Sequence, residues 1–169
     1  MIFILLRHGH KTMEPPENPS LSAKGHEQSR KLLKMAQDKV IPSPTICLYS
    51  EMIRTKQTLH DLIENYKPKT ELKTDLNLRD YNETAAQFRA RVQKLINLYT
   101  FQASQPENKN QVIYACTHYD WVEEAMTVID CDKNLNSFEF AGWAPAQYLE
   151  FKITEEGQWL LTSRGAANV

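Results

Sequence analysis

The chain has little net charge and no long apolar run, and each shortage excludes a class of protein. Its 20 basic and 21 acidic residues leave a formal net charge of -1 over 169 residues. That balance gives no electrostatic footprint for nucleic acid or for an anionic membrane surface. No apolar stretch approaches the roughly 18 residues that a membrane-spanning helix needs. We therefore expect a cytoplasmic protein with neither nucleic acid nor a membrane among its partners.

Cysteines are also few. Cys47, Cys116 and Cys131 leave at least one thiol unpaired, and no two of them form a Cys-x-x-Cys pair. Because Cys47 and Cys116 lie in apolar runs, buried free thiols are favoured over disulfides. The sequence therefore predicts neither a disulfide framework nor a cysteine-based metal site, and no metal is expected.

Short apolar runs alternate with helical patterns along the chain. Runs typical of buried strands cover 2–6, 45–49 and 112–116. Helical patterns cover 23–39 after the capping residue Ser22, one segment from Glu51 to Ile63, 83–99 after the capping residue Asn82, and 120–128. The segments 148–153 and 158–163 alternate like an antiparallel pair. This order predicts one α/β domain over 1–169, a three-layer α/β/α fold with an open, mostly parallel sheet and an antiparallel edge strand.

Polar residues stand where three of the predicted strands end. Arg7 and His8 follow the first strand, Ser50 and Arg54 follow the second, and His118 follows the last buried strand. Because the carboxyl ends of parallel strands meet at one rim, these side chains should share a crevice. Two arginines and two histidines there would bind an anion and supply a nucleophile, which suits phosphoryl transfer.

Four spaced motifs of this chain resemble those of the histidine phosphatase superfamily, also called the phosphoglycerate-mutase-like family. The Arg-His-Gly hallmark stands at Leu6–Gly9, and the Leu-Thr-x-x-Gly-x-x-Gln element is matched by Leu21–Gln28. The Ser-Pro-x-x-Arg-x-x-Gln-Thr element is matched by Ser50–Thr58, and the second histidine by Thr117-His118. Together they follow the family order over nearly the whole chain.

The resemblance implies a role for each matched residue. His8 would be the nucleophile that becomes phosphohistidine, and Arg7, Arg54 and His118 would hold the phosphoryl oxygens. Water would then hydrolyse the phosphohistidine, with no metal or organic cofactor. A histidine nucleophile needs one unprotonated ring nitrogen, while the other nitrogen donates to a backbone carbonyl.

The sequence departs from the family pattern at several places. Larger members carry a Leu-x-Glu proton donor where this chain has Leu78-Arg79-Asp80, so Asp80 is the candidate general acid and Glu83 the second choice. Both could equally be exposed loop or helix-cap carboxylates. Tyr119 replaces the glycine that often follows the second histidine, and Lys11 could add a cation for substrate binding at the pocket rim.

The short chain and its non-glycine residue after His118 resemble the short branch that acts on phosphohistidine in proteins. We therefore expect a metal-independent phosphatase whose partner is a phosphorylated protein or a small phosphorylated metabolite. A non-catalytic phosphate-binding or interaction module would share the cationic pocket but lack an effective acid. A phosphoglycerate-type mutase would need a closed pocket over His8.

Overall fold

A computed structural model describes all 169 residues, 1–169. It contains six strands and five helices. The strands are β1 (Ile2–Arg7), β2 (Ile46–Tyr49), β3 (Lys69–Leu72), β4 (Val112–Thr117), β5 (Gln147–Ile153) and β6 (Trp159–Ala166). The helices are α1 (Ala23–Gln37), α2 (Ile53–Thr58), α3 (His60–Tyr66), α4 (Ala85–Ala103) and α5 (Tyr119–Val128).

The strands form one sheet in the order β3-β2-β4-β1-β5-β6. The first four run parallel, with β4 paired to both β1 and β2. Strands β5 and β6 form an antiparallel hairpin that pairs with β1 through β5. The predicted α/β sheet with an antiparallel edge is therefore confirmed.

Side chains of β1 alternate between two cores because successive residues of a strand point to opposite faces. Phe3 and Leu5 join the larger core, which is built with α4 and α5. Ile4 and Leu6 join a smaller core beneath α1 and α3. Both faces of the sheet are thus covered by helices, as expected for a strand with no polar residue between Ile2 and Leu6.

The structure corrects two of the predicted helices. The segment after Glu51 is two helices rather than one, because the helix is interrupted at Leu59, which ends α2 and precedes α3. Asn82 does not cap the following helix: Thr84 accepts a hydrogen bond from Gln87 N, and the Gln87 side chain returns one to Thr84 N. This reciprocal capping satisfies two otherwise unpaired donors and starts α4 two residues later than predicted.

The cap of α1 agrees with the sequence prediction, since the Ser22 side chain accepts from Gly25 N. None of the helices is both long enough and apolar enough to cross a membrane.

Candidate active site

The sheet order brings three strand ends side by side. Arg7 pairs in register with Thr117 across β1 and β4, and Tyr49 pairs with Cys116 across β2 and β4. The residues that follow, His8, Ser50 and His118, therefore emerge together at the carboxyl edge of the parallel strands. That edge is where open α/β sheets place their ligands.

His8 is 5% exposed and has a defined orientation. Its Nδ1 lies 2.8 Å from the carbonyl oxygen of Gly9. Because a carbonyl can only accept, Nδ1 carries the ring proton and Nε2 keeps its lone pair. Burial is the main cause that lowers the pKa of His8 to about 4, although the hydrogen bond to Gly9 opposes this and the Arg54 charge adds to it. The ring is therefore neutral near pH 7.

His118 precedes α5 and is also buried. Its Nε2 lies 2.8 Å from Ser50 Oγ, and its Nδ1 lies 3.3 Å from Arg54 Nη2. A guanidinium can only donate, so Nδ1 holds the lone pair and Nε2 the proton. Burial, followed by the charge of Arg54, lowers the pKa of His118 to about 2.

Arg54 lies between the two histidines and is 6% exposed. Its Nε donates to His8 Nε2 at 3.2 Å, while its Nη2 donates to His118 Nδ1. Its third nitrogen, Nη1, is buried and has no hydrogen-bond partner. Buried polar groups are rarely left unpaired, so this N–H indicates room for a ligand acceptor.

Arg7 supplies the second guanidinium. Its Nη1 donates to the carbonyl oxygen of Trp143, and its guanidinium carbon lies 5.0 Å from the centre of the Tyr119 ring. Its Nε is buried without a partner, like Nη1 of Arg54. Burial lowers the pKa of Arg7 from its usual value. An anion in contact with the guanidinium would raise this pKa again, because an opposite charge stabilises the charged form.

Other residues of the sequence motifs build the frame around these side chains. Thr58 Oγ1 accepts from Gly9 N at 2.8 Å and donates to the Arg54 carbonyl at 2.7 Å, which joins the turn after β1 to α2. Gln28 Oε1 accepts from His10 N at 2.7 Å. Gly25 is required because a Cβ there would lie 2.1 Å from the carbonyl oxygen of His10. These contacts hold the backbone on both sides of His8.

The carbonyl of His8 is fixed from the far end of the chain. It accepts from Ala146 N at 3.1 Å, and the Ala146 carbonyl in turn accepts from Ala167 N at 3.0 Å. The backbone of the nucleophile candidate is thus hydrogen-bonded into the hairpin side of the sheet.

The two candidate general acids, Asp80 and Glu83, have different surroundings. Asp80 is exposed, and its Oδ1 accepts from Asn82 N at 2.9 Å. Both carboxylate oxygens of Glu83 accept from Arg91, at 2.9 Å and 2.8 Å, and this hydrogen bonding lowers the pKa of Glu83. Neither carboxylate is hydrogen-bonded to the histidines or arginines of the site. Lys11 is half-buried, and its charge contributes to the low pKa of His8.

The sequence did not reveal three of the site contacts. Ser50 is hydrogen-bonded to His118, which lies 68 residues later in the sequence. Arg7 donates to the backbone carbonyl of Trp143, and its guanidinium lies against the ring of Tyr119. The Asp120 carboxylate accepts from Arg79 N at 2.8 Å and joins the β3–α4 loop to the start of α5. The position of Ser50 at a strand end and the loop-like segment around Trp143 were the signals in the sequence.

The arrangement can bind a tetrahedral oxyanion and attack it. Two guanidinium groups carry unpartnered N–H donors, and the bare Nε2 of His8 lies beside one of them. Arginine forks suit phosphate oxygens, and a neutral imidazole is a competent nucleophile. No group of three or more His, Cys, Asp or Glu side chains is placed to hold a metal ion.

Comparison with known proteins confirms the family resemblance. Residues 3–83 match the family model described as the histidine phosphatase superfamily (branch 1). No curated protein sequence matches the chain.

Solved structures share the fold over almost their whole length. The protein histidine phosphatase SixA, complexed with tungstate, is 15% identical with a TM-score of 0.69, over 99% of this chain and 97% of that one. The alpha-ribazole phosphatase from Shigella flexneri is 16% identical with a TM-score of 0.76, over 100% and 98%. Phosphoserine phosphatase from Entamoeba histolytica is 13% identical with a TM-score of 0.72, over 98% and 96%.

Proposed function

We propose that this chain, whose residues 3–83 match the model of the histidine phosphatase superfamily (branch 1), is a phosphatase that hydrolyses its substrate through a phosphohistidine on His8. The observation that carries the proposal is the position of Arg54, which donates to the bare nitrogens of both histidines and keeps one buried N–H free. Such a centre has donors for phosphoryl oxygens and a nucleophile in hydrogen-bond reach of one of them.

In the first step, the lone pair of His8 Nε2 forms a bond to phosphorus. The bond from phosphorus to the leaving group breaks, and the leaving group takes its electron pair. Arg7 and Arg54 stabilise the three equatorial oxygens, where charge is spread in the transition state. The Nδ1–H bond to Gly9 stays intact and holds the ring in place as it gains a second substituent.

In the second step, a water oxygen attacks the same phosphorus. The bond between His8 Nε2 and phosphorus breaks, inorganic phosphate leaves, and His8 returns to its neutral form. The proton of the water passes to phosphate or solvent. The chain's own residues supply positioning and charge stabilisation, which are the main sources of rate enhancement in phosphoryl transfer.

We favour a phosphohistidine-bearing protein as the substrate over a small phosphoester. An imidazole leaving group can be protonated before the P–N bond breaks, so it needs less help from an enzyme acid. This fits a site whose histidines and arginines have no carboxylate hydrogen-bonded to them. SixA is named a protein histidine phosphatase, whereas the other two neighbours are named for small phosphorylated compounds.

Exposed apolar side chains at the edge of the sheet that carries His8 also favour a protein as the substrate. Met13 follows β1, Tyr81 follows β3, and both are largely exposed, Tyr81 at 98%. Their loops leave the sheet at the same edge as His8. Burial of these side chains against a partner surface would stabilise the complex. A small metabolite would cover less of their apolar area.

The decisive experiment is to trap the intermediate. The protein is mixed with a reactive phosphoramidate donor and quenched in alkali, because phosphohistidine is labile in acid, and the adduct is located by mass spectrometry. We expect a transient phosphate on His8 and release of inorganic phosphate, both lost in His8→Ala and both kept in His26→Ala, whose side chain is exposed on α1.

Absence of both adduct and turnover, with phosphoramidate and ester donors alike, would overturn the phosphatase proposal. It would favour the phosphate-binding module, which shares the cationic pocket. Retention of phosphate on His8 with transfer to a second acceptor rather than to water would favour a mutase.

A further inference from the structure

The hydrogen-bond donors around His118 determine where its proton lies. Arg54 Nη2, 3.3 Å from Nδ1, is a donor only, so Nδ1 has no proton. A neutral ring therefore carries its proton on Nε2 and donates it to Ser50 Oγ at 2.8 Å. His8 has the opposite arrangement, with its proton on Nδ1.

The other contacts of Ser50 agree with an accepting role. Its Oγ accepts from Met52 N at 3.2 Å and lies 3.2 Å from Thr55 Oγ1. Thr55 donates its own proton to the Met52 carbonyl at 2.8 Å, so its oxygen is free to accept from the Ser50 hydroxyl. Every hydrogen of this small network then has one acceptor.

We propose that Ser50 is a positioning residue that holds the Nε2 proton of His118, so that binding of a dianionic oxyanion draws one proton from solvent onto His118 Nδ1. The inference rests on the proposed phosphate site. Nδ1 is the ring nitrogen on the Arg54 side, next to the unpartnered Nη1. As long as Nε2 donates to Ser50, His118 can donate to the anion only through a second proton on Nδ1.

The charges around His118 explain why that proton is absent before binding. The groups whose charge lowers its pKa are Arg54 on α2, Arg7 at the end of β1, His8 directly after β1 and Arg91 on α4. Burial and these cations keep the pKa of His118 near 2 in the free protein. A dianion between the arginines neutralises their field and favours an imidazolium, because an opposite charge at short range stabilises the charged form.

The test uses sulfate, which stays a dianion at neutral pH and so cannot itself take up the proton. Calorimetric titrations at pH 7.5 in two buffers with different heats of ionisation count the protons bound per sulfate. We expect net proton uptake on sulfate binding, of up to one proton per sulfate. Nitrogen NMR of the labelled histidines should show His118 protonated on Nε2 alone in the free protein and on both nitrogens with sulfate bound.

Two variants separate the role of Ser50 from simple packing. In Ser50→Ala, Arg54 still donates to Nδ1 of the free ring, but the Nε2 proton has lost its acceptor. Sulfate can then be met by the neutral ring with its one proton on Nδ1, so proton uptake should fall clearly below that of the wild type. Ser29→Ala removes another buried serine, whose Oγ donates to Asp61 at 2.6 Å, and should leave uptake and the His118 signals unchanged.

The wild-type measurements decide the matter even where Ser50→Ala fails to fold. Sulfate binding without proton uptake, or a free His118 protonated on Nδ1, overturns this inference while leaving the phosphatase proposal intact. Absence of sulfate binding overturns the oxyanion site and this inference with it.

Discussion

Arg54 Nε donates to His8 Nε2 across 3.2 Å, so the lone pair proposed to attack phosphorus is hydrogen-bonded to a cation before substrate arrives. This contact holds the ring in its reactive orientation and keeps Nε2 unprotonated. When a phosphoryl group binds, its oxygens can accept the same N–H, which frees the lone pair for attack. Arg54 would then hold the ring before substrate binds and donate to the phosphoryl oxygens once it has bound.

Replacement of Arg54 by alanine tests this double role. We expect turnover to fall about 10²–10³-fold, the usual effect of removing one donor to a developing oxyanion. Phosphate release under saturating phosphoramidate is the measurement. Arg89→Ala is the matched control, since Arg89 lies on the exposed face of α4 in a pair with Glu124. Unchanged turnover in Arg54→Ala would remove Arg54 from the site.

Thr58→Val tests the frame behind the nucleophile. It removes the acceptor of Gly9 N and the donor to the Arg54 carbonyl, and we expect the free energy of unfolding to fall by about 1–3 kcal/mol, the cost of an unpaired buried donor. Turnover should fall as well, because the backbone next to His8 and the backbone of Arg54 each lose a hydrogen bond.

Thr100→Val is the control for that variant. Thr100 Oγ1 likewise donates to the carbonyl four residues earlier and accepts an N–H, from Trp159, but it lies away from the site. Its loss should lower the free energy of unfolding to a similar extent with turnover per folded molecule retained. Equal loss of turnover in both variants would mean that Thr58 has no special link to the nucleophile.

Gly25→Ala should disturb the site from the opposite side. Alanine is favoured over glycine in a helix by about 1 kcal/mol, so any loss of stability must come from the new contact with the His10 carbonyl. We expect a net loss of about 1–3 kcal/mol from overpacking, measured by urea unfolding, and lower turnover. Gly157→Ala strains a turn at φ +83° in the β5–β6 hairpin and should lower stability while turnover is kept.

The buried histidines predict how stability depends on pH. A free histidine has a pKa near 6.5, whereas His8 titrates at about 4 and His118 at about 2 in the folded protein. Below pH 6.5 the unfolded chain therefore binds protons that the folded chain does not. The free energy of unfolding should fall by up to about 1.4 kcal/mol per pH unit for each histidine between pH 6.5 and 4.

Urea unfolding at pH 7, 5.5 and 4.5 measures this fall. In His118→Gln one of the two contributions disappears, so the variant should lose less stability on acidification than the wild type. Parallel curves for the two proteins would show that His118 is not held neutral by the fold.

Leaving-group dependence tests the acid candidates. If Asp80 is the general acid, Asp80→Asn should lower turnover of an alkyl phosphate by about 10²-fold, the low end for general acid catalysis, with little effect on a phosphoramidate. Glu83→Gln should act on stability instead, because it weakens the pair with Arg91. Equal effects of Asp80→Asn on both substrates would exclude a proton donor at this position.

Local pattern sufficed for the strands and for the edge of the sheet that carries His8. Unbroken apolar runs such as Phe3–Leu6, bounded by polar residues and glycine, are typical of a strand covered on both faces. The cap at Thr84 was also readable, since Gln87 stands three residues later, but Asn82 competed for the same role. The break at Leu59 was not, because neither glycine nor proline marks it.

The hydrogen bonds of the site could not be predicted in the same way. Ser50 and His118 meet only because β2 and β4 are neighbours, and the proton on each histidine depends on Arg54 between them. Such partners are set by tertiary packing rather than by neighbours in the sequence. The roles proposed for Arg7 and His8 follow from the family motifs, whereas the contact of Arg7 with Trp143 required the fold.

The hydrogen bonds from Ala146 N to the His8 carbonyl and from Ala167 N to the Ala146 carbonyl affect the order in which the fold can be completed. During synthesis His8 leaves the ribosome well before Ala146 and Ala167, the residues that fix its carbonyl. A nascent chain that contains the motifs of residues 3–83 would therefore carry His8 without the bond that fixes its carbonyl. The proposed activity should arise only after β5 and β6 have paired with β1.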